Sequence, residues 1–195
     1  MLGAGSLEKQ LQNFWERRAN SYYVPDVFGR RILAAYLTKI KPTSLVEVGC
    51  GNGELFSLYK DIPRVVALDW SDEMLKRAQE RIARHEYINI ATEKLDITET
   101  FYPMSFDLAL TRTVLMHISP EKVQKAIENL TQMSKDVLAF EFYDPSWHVD
   151  IERLDWHNWH HEYVPMFKNV GYELVDSFDR PDGVPQILFH FRKSR

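Results

Sequence analysis

The sequence predicts an α/β domain in which helices cover both faces of a mostly parallel β-sheet. From residue 44 onward, short apolar runs alternate with longer segments that have helical periodicity. Strands that are separated by helices pair in parallel, and the helices then cover both faces of the sheet. The chain ends with two apolar runs joined by the short turn Arg-Pro-Asp-Gly, which makes that last pair of strands antiparallel.

The composition of the 195 residues is that of one domain, with 45% hydrophobic and 27% charged residues. A chain of this length buries a sufficient core without disulfides or a structural metal. Cys50 is the single cysteine, and the sequence shows neither a signal peptide nor a run of roughly 20 apolar residues, so we predict a cytoplasmic protein with no membrane partner. The formal net charge of -4 argues against passive adhesion to nucleic acid or anionic lipid.

Two helices are predicted before the first strand. Apolar residues at helical spacing place the first helix over 7–19 and the second over 27–40. Pro25 and Asp26 break the chain between them.

The remaining elements alternate in chain order. Strands are predicted over 44–49, 64–69, 87–92, 106–111, 135–142, 171–178 and 185–191. Helices are predicted over 53–60, 71–85, 120–133 and 162–171. No repeat or flexible linker interrupts them, so residues 1–195 are predicted to form a single domain.

The most informative segment is VEVGCGNGE, which follows the first predicted strand. Gly49, Gly51 and Gly53 allow the backbone to turn sharply and to approach a ligand that a side chain would exclude. Glu47, just before the turn, suits a ligand with an ammonium group. Asp69 ends the next strand, where a carboxylate can accept hydrogen bonds from both hydroxyls of a ribose. The pattern therefore favours a nucleoside ligand, with a ligand-free tight turn as the alternative.

Phosphate-binding loops do not match this segment. A P-loop needs a G-K-[ST] ending and a nicotinamide fingerprint runs G-x-G-x-x-G, whereas Glu54 stands here where the last glycine would be. The runs VEVGCGNGE, ALDWSDEML, EKLDI and FDLALTRTVLMHI, in this order, resemble the Rossmann-like, class I S-adenosylmethionine-dependent methyltransferases. The resemblance covers about residues 44–141 and implies a three-layer sandwich with a seven-stranded, mostly parallel sheet whose last strand is antiparallel.

The resemblance implies a cofactor role for several residues. Gly49, Gly51 and Gly53 would face the methionine and ribose portions, Glu47 would help to hold the methionine amino group, and Asp69 would bind the ribose hydroxyls. Around the adenine ring and beside the methionine moiety, the implied residues are Trp70, Met74, Asp96, Ile97, Thr111 and Arg112. Core packing is the alternative for Trp70 and Met74, and a solvated loop position for Asp96.

The N-terminal run WERRANSYY is similar to the family's W-x-x-R-A-x-x-Y lead-in. Arg18 and Tyr22 would accordingly contact the cofactor carboxylate and close over it. A surface arginine and a helix-packing tyrosine are the alternatives.

His117 is the candidate catalytic residue. It begins the segment after the fourth strand, where the methyl group should emerge, and a histidine can take a proton from a hydroxyl acceptor. Packing or capping is its alternative role. The [DN]-P-P-[YFW] run of nucleic-acid amino methyltransferases is absent, since that place reads TRTV.

The acceptor pocket is predicted at the loops that follow the fifth strand, because in this fold those loops lie at the carboxyl ends of the strands. The candidate acceptor-binding residues are Glu141, Tyr143, Trp147, His157, His160 and His161. Packing of the histidines among tryptophans is the alternative. His157 and His161 share a helical spacing that a metal could use, but no third ligand is evident, and we predict no metal site.

These observations predict a methyltransferase that moves a methyl group from S-adenosylmethionine to an oxygen or nitrogen of a small-molecule acceptor and releases S-adenosylhomocysteine. The run HEYVPMFKNVGYELVDSF resembles endings of bacterial methyltransferases from sugar and natural-product pathways. The predicted division is a lid over 1–40, a cofactor core over 44–142, an acceptor segment over 143–168 and a hairpin over 172–193. Two alternatives stay open: a methyltransferase that acts on a protein or tRNA with a partner subunit, and a non-catalytic scaffold that binds the cofactor.

Overall fold

The computed structural model describes residues 4–19, 26–142 and 159–194. Within them, the strands are β1 Ser44–Val48, β2 Arg64–Asp69, β3 Ile90–Lys94, β4 Phe106–Arg112, β5 Ser134–Phe142, β6 Tyr172–Asp179 and β7 Gln186–Lys193. The α-helices are α1 Ala4–Arg18, α2 Val27–Ile40, α3 Asp72–His85, α4 Pro120–Gln132 and α5 Tyr163–Asn169.

The strands form one sheet in the order β3-β2-β1-β4-β5-β7-β6. β1 to β5 pair in parallel, whereas β7 runs antiparallel to both β5 and β6. The predicted fold class is therefore confirmed. The strand order reverses between β1 and β4, and ligands in open α/β sheets bind beyond the carboxyl ends of the strands at such a point.

Two apolar clusters, one on each face of the sheet, make the domain three-layered. Ile32, Leu33 and Leu37 of α2 pack with Leu75 and Ala78 of α3 in one cluster. The second cluster lies on the other face and joins α4 and α5 through Val123, Ile127, Leu130, Tyr163 and Phe167. The sheet that carries the candidate site is thus held from both sides, as a buried parallel sheet requires.

The predicted helix over 53–60 is wrong. Gly51 and Gly53 have φ of 54° and 76°, so the chain is still turning at residue 53, and the segment contains only a short 3-10 turn at Phe56–Leu58. The Asn89 side chain donates to the carbonyls of Tyr59 and Ile62 at 2.8 and 2.7 Å, and it fixes the segment without a helix. β3 begins at Ile90, three residues later than predicted, because residues 88 and 89 lie in a turn.

None of the helices in the described part of the chain is long and apolar enough to cross a membrane.

Candidate cofactor and acceptor site

The glycine turn, residues 49–53, bends the chain sharply after β1. Gly49, Gly51 and Gly53 all have positive φ, which glycine adopts without strain. The amides of Gly49 and Cys50 both donate to the carbonyl of Leu68, at 2.8 and 2.9 Å, and this ties the turn to the end of β2. A Cβ atom on Gly49 would lie 2.2 Å from Val114 Cγ2, so a side chain is also excluded sterically.

Asp69 lies between the glycine turn and the start of α3. Its Oδ2 accepts from the amide of Gly51 at 2.8 Å, and its Oδ1 accepts from the amide of Ser71 at 3.0 Å. Burial raises the pKa of Asp69 to about 6, although these amide hydrogen bonds favour the ionised form. The carboxylate is therefore oriented by the backbone, and each oxygen keeps a further lone pair for a ligand.

Glu47 places a second carboxyl group at the floor of the same cavity. The residue is 3% exposed, and burial raises its pKa to about 8, against the lowering effects of Tyr59 and Arg112. Its Oε2 is buried and has no hydrogen-bond partner among the described residues. A buried acceptor without a donor is costly, so a ligand that brings an ammonium group into this cavity fits the site.

One cavity of about 250 Å³ brings most of the predicted cofactor residues together. The predicted residues that line it are Glu47, Gly49, Gly51, Asp69, Trp70, Met74, Asp96, Ile97, Arg112 and His117. The cavity lies at the carboxyl ends of β1, β2 and β4, as expected from the strand order.

The end of the cavity beyond Asp69 has apolar walls and one oriented acid. Met74 and Ile97 are buried, and the Asn129 side chain fixes the backbone at Ile97 by donating to its carbonyl at 2.8 Å. Asp96 Oδ1 accepts from the amide and the hydroxyl of Thr98, both at 2.8 Å. An apolar slot beside a fixed carboxylate suits a flat heteroaromatic ring with an amino group.

Arg112 forms the charged wall of the cavity. Its guanidinium contacts Asp26 Oδ2 at 2.9 Å and Glu54 Oε2 at 3.1 Å. Asp26 also accepts from Arg180 at 2.6 Å, and the hydrogen bonds and charges of these partners outweigh burial and lower the pKa of Asp26. Asp26 in turn caps α2 through the amide of Gly29. The guanidinium is thus held by two acids, of which Asp26 is itself fixed by Gly29 and Arg180.

Gly53 and Thr111 lie behind the cavity wall and do not line it. A Cβ on Gly53 would come within 2.5 Å of the Phe56 ring, so this glycine permits close packing. Thr111 is fully buried, and its hydroxyl donates to Glu141 Oε1 at 3.4 Å. The side chain of Arg18 and all of Tyr22 lie outside the described residues.

His117 ends the short 3-10 turn Leu115–His117 after β4 and lines the cavity. Its ring contacts Trp15 of α1 edge to face, with centroids 5.1 Å apart. Glu16, the next residue of α1, accepts from the amides of Asp72 and Glu73 at 3.1 and 3.0 Å. These bonds use amides that the first turn of α3 leaves unpaired, and they dock α1 beside the cavity.

The predicted acceptor residues separate into two groups. Glu141 and His161 are buried and bind the backbone of the post-β4 turn, residues 113–118, rather than lining the cavity. The end of β5 lies beside the end of β4 in the sheet, so an acid there faces that turn. His160 is exposed, whereas Tyr143, Trp147 and His157 lie outside the described residues.

Sequence reasoning missed several residues that line the cavity. Trp15, Glu54, Thr98, Thr113 and Val114 all contribute to its walls. Trp15 stands in the WERRANSYY run and Glu54 in the glycine run, so a signal existed for both. Nothing in the sequence pattern marks Val114, which packs closely against Gly49 because that residue has no side chain. In the part of the chain that the structure describes, no three histidine, cysteine or acidic side chains cluster closely enough to hold a metal ion.

Comparisons with known proteins agree with this geometry. Residues 45–136 match the family described as "Methyltransferase domain". The malonyl-[acyl-carrier protein] O-methyltransferase of Pseudescherichia vulneris is 34% identical over 79 residues, which are 40% of this chain and 30% of that protein. The match therefore spans less than a third of that relative's length.

Solved structures show the same fold over nearly the whole chain. The complex of DhpI with S-adenosylhomocysteine has a TM-score of 0.76 at 16% identity and covers 98% of this chain and 99% of that one. The N-methyltransferase NodS from Bradyrhizobium japonicum WM9, bound to S-adenosylhomocysteine, has a TM-score of 0.75 at 17% identity and covers 95% and 99%. The glycine turn, the two acids and the strand order thus accompany a methyltransferase-domain match over residues 45–136 and a fold that is the one seen in solved class I S-adenosylmethionine-dependent methyltransferases.

Proposed function

We propose that this protein binds S-adenosylmethionine in the cavity and transfers its methyl group to an oxygen or nitrogen atom of a small-molecule acceptor. The observation that carries the proposal is the pairing of two buried carboxyl groups in one cavity. Glu47 offers an unpartnered oxygen, and Asp69 is oriented by two backbone amides. An ammonium group and a ribose diol are the two groups that satisfy these acids.

The remaining walls match the other parts of the cofactor. Asp96, oriented by Thr98, accepts from the adenine amino group, while Trp70 and Met74 cover the ring. Arg112 lies on the methionine side, where its positive charge faces the cofactor carboxylate. Each portion of the cofactor thus meets side chains of matching polarity.

The bound cofactor supplies a methyl group on a sulfonium, which is a good leaving group. The protein's own task is then to align the acceptor and to remove its proton. His117 lines the cavity and takes that proton in our proposal. Trp15 packs against the His117 ring and restricts its orientation.

The lid assigned to residues 1–40 is part of the proposal. Trp15 lines the cavity, and Glu16 fixes α1 to the start of α3, so the first helix covers the cofactor from one side. We also keep the acceptor segment over 143–168 and the C-terminal hairpin over 172–193 as proposed divisions, and the cytoplasm as the proposed location.

A small acceptor is favoured over a nucleic acid by the net charge of the chain. The formal net charge of -4 disfavours binding of a polyanion, whereas a neutral or cationic small molecule can approach the protein. The malonyl-[acyl-carrier protein] O-methyltransferase and the N-methyltransferase NodS, to which the chain is similar, support oxygen and nitrogen as the two proposed acceptor atoms.

The test is to incubate the protein with S-adenosylmethionine that carries a tritiated methyl group and an extract of the source cells. The extract is first divided by ultrafiltration into a low-molecular-mass filtrate and a macromolecular retentate. We expect tritium to enter compounds of the filtrate. Label in the retentate alone would favour a protein or tRNA acceptor, and release of no product in either fraction would contradict the enzyme.

His117→Ala serves as the catalytic variant in the same assay. General acid-base groups contribute roughly 100- to 10,000-fold, so the rate should fall within that range while S-adenosylhomocysteine still binds. His85→Ala, at an exposed position of α3, is the matched control. A wild-type rate in His117→Ala would remove this histidine from the mechanism.

A further inference from the structure

The post-β4 turn has a strained backbone at the point where it leaves the strand. Thr113 has φ of 53°, in the left-handed region, which a β-branched residue rarely adopts. Its amide donates to the carbonyl of Phe140 at 2.9 Å, and its hydroxyl donates to the carbonyl of Arg112 at 2.7 Å. Such a conformation persists only where the surrounding structure holds it.

The carboxylate of Glu141 binds three backbone amides of this turn. Its Oε1 accepts from the amides of Val114 and Leu115 at 3.1 and 3.2 Å, and its Oε2 accepts from the amide of Met116 at 3.4 Å. Thr111 adds its hydroxyl at 3.4 Å. The side chain is fully buried, so these donors take the place of water around the carboxylate.

Two carbonyl groups of the same turn accept hydrogen bonds from residues that follow β5 in the chain. The amide of Trp159 donates to the carbonyl of Met116 at 2.8 Å. His161 Nε2 donates to the carbonyl of Ile118 at 2.9 Å. Residues 159 and 161 therefore bind carbonyl groups of the same turn whose amides Glu141 binds.

We propose that Glu141 is a positioning residue for methyl transfer, because it fixes the post-β4 turn and through it the direction in which His117 faces the acceptor. The inference rests on the proposed function. It assigns Glu141 a role through the turn instead of contact with the acceptor. Displacement of a reacting group by about 1 Å can cost roughly 100-fold in rate, so a held turn matters to catalysis.

The cofactor half of the cavity does not depend on Glu141. The glycine turn is tied to β2 by the two amides that donate to Leu68, and Asp69 is oriented by Gly51 and Ser71. Loss of the Glu141 hydrogen bonds should therefore lower the rate of methyl transfer and leave the cofactor affinity unchanged.

Glu141→Gln is the variant that tests the proposal. Glutamine has the same length, but its amide nitrogen is a donor and would face another donor in the turn. We expect tritium transfer to the low-molecular-mass filtrate to fall roughly 10- to 100-fold, while the Kd for S-adenosylhomocysteine stays within about twofold. Asp107→Asn is the matched control, since Asp107 also accepts from two backbone amides and a hydroxyl, at Thr43 and Ser44 near the opposite end of β4. The control should lose neither activity nor affinity when both are measured below its melting temperature.

A wild-type transfer rate in folded Glu141→Gln would overturn the proposal, and so would an equal loss of rate and of cofactor affinity.

Amide hydrogen exchange of the wild-type protein provides a second test that does not need the variant to fold. The amides of Val114 and Leu115 should exchange as slowly as those of β4, and fast exchange would overturn the proposal. Failure of the wild type to bind S-adenosylhomocysteine would instead refute the proposed function, and the exchange test of the turn would still stand.

Discussion

Glu47 provides a sharp prediction, because binding of the cofactor should change its protonation. Burial raises the pKa of Glu47 to about 8, so the free protein carries it mostly protonated near neutral pH. The cofactor ammonium pairs only with the ionised form. Binding must therefore release about one proton per ligand at about pH 7, and affinity should rise with pH.

The magnitude follows from the ionised fraction of Glu47. With a pKa of about 8, that fraction increases roughly 50-fold from about pH 6 to about pH 8. The ligand's own amino group begins to lose its proton at about pH 8, which reduces the gain. We expect the Kd for S-adenosylhomocysteine to fall roughly 20- to 50-fold over this range.

The assay is isothermal titration calorimetry at a series of pH values, in pairs of buffers that differ in ionisation enthalpy. The difference between the paired buffers counts the protons released. Asp69 also titrates near pH 6 because burial raises its pKa, so the Glu47→Gln variant is needed to isolate the Glu47 contribution.

At about pH 8, Glu47→Gln should bind roughly 10- to 150-fold more weakly, since a hydrogen bond to a charged group is worth about 1.5–3 kcal/mol. At about pH 6 the gap should nearly close, because the wild type then spends about 2.7 kcal/mol on ionising Glu47. Glu80→Gln, on the exposed face of α3, is the control. A Kd that is independent of pH in the wild type, or a proton release that persists in Glu47→Gln, would show that Glu47 does not ionise when the cofactor binds.

Two further predictions concern backbone geometry and pH. Gly49→Ala should abolish cofactor binding, because the added Cβ would lie 2.2 Å from Val114, and it should lower the free energy of unfolding in urea by about 1–3 kcal/mol. Gly183→Ala is the control. Gly183 has φ of 83° and open space around it, so this variant has the backbone strain without the clash and should bind the cofactor normally. Burial raises the pKa values of Asp69 and Glu141 to about 6 and about 7, so the folded state binds more protons than the unfolded chain over this interval. The stability that these two protonated carboxyl groups contribute is thus complete below about pH 4 and is lost as the pH rises to about 7. The Tm of the ligand-free protein should therefore fall over that range. A Tm that rises would contradict the raised pKa values of the two acids.

The parallel strands were predictable from sequence because burial on both faces leaves an uninterrupted apolar run. The run Arg64–Asp69 is such a case, and its predicted and observed limits coincide. Gly49 and Asp69 were also predictable, since alternate glycines after a strand indicate positive φ and an acid at the next strand end lies beside that turn. These features follow from the order of residue types along the chain, and contacts such as Gly49 with Val114 and Gly51 with Asp69 then hold them in place.

The errors arose where a distant contact decides the local structure. Residues 53–60 have helical spacing, but the side chain of Asn89, some 30 residues away, donates to the carbonyls of Tyr59 and Ile62 and holds the end of this segment in a turn. Glu141 was expected to face the acceptor, because sequence shows that an acid ends the strand but not which neighbour it meets. The post-β4 turn presents three backbone amides beside the end of β5, and these determine the direction of the Glu141 side chain.

Calorimetric titration with S-adenosylmethionine and S-adenosylhomocysteine tests directly whether the cavity binds this cofactor. The titration is performed on the wild type, on Asp69→Asn and on the exposed control Asp61→Asn. Asp69 accepts from the glycine turn and from the start of α3, so its ionised carboxylate is already oriented for a ribose diol. We predict clear binding by the wild type and by Asp61→Asn, and binding at least about 10-fold weaker in Asp69→Asn. Absence of binding in folded wild-type protein, or equal affinity in Asp69→Asn, would contradict the assignment of the cavity to this cofactor.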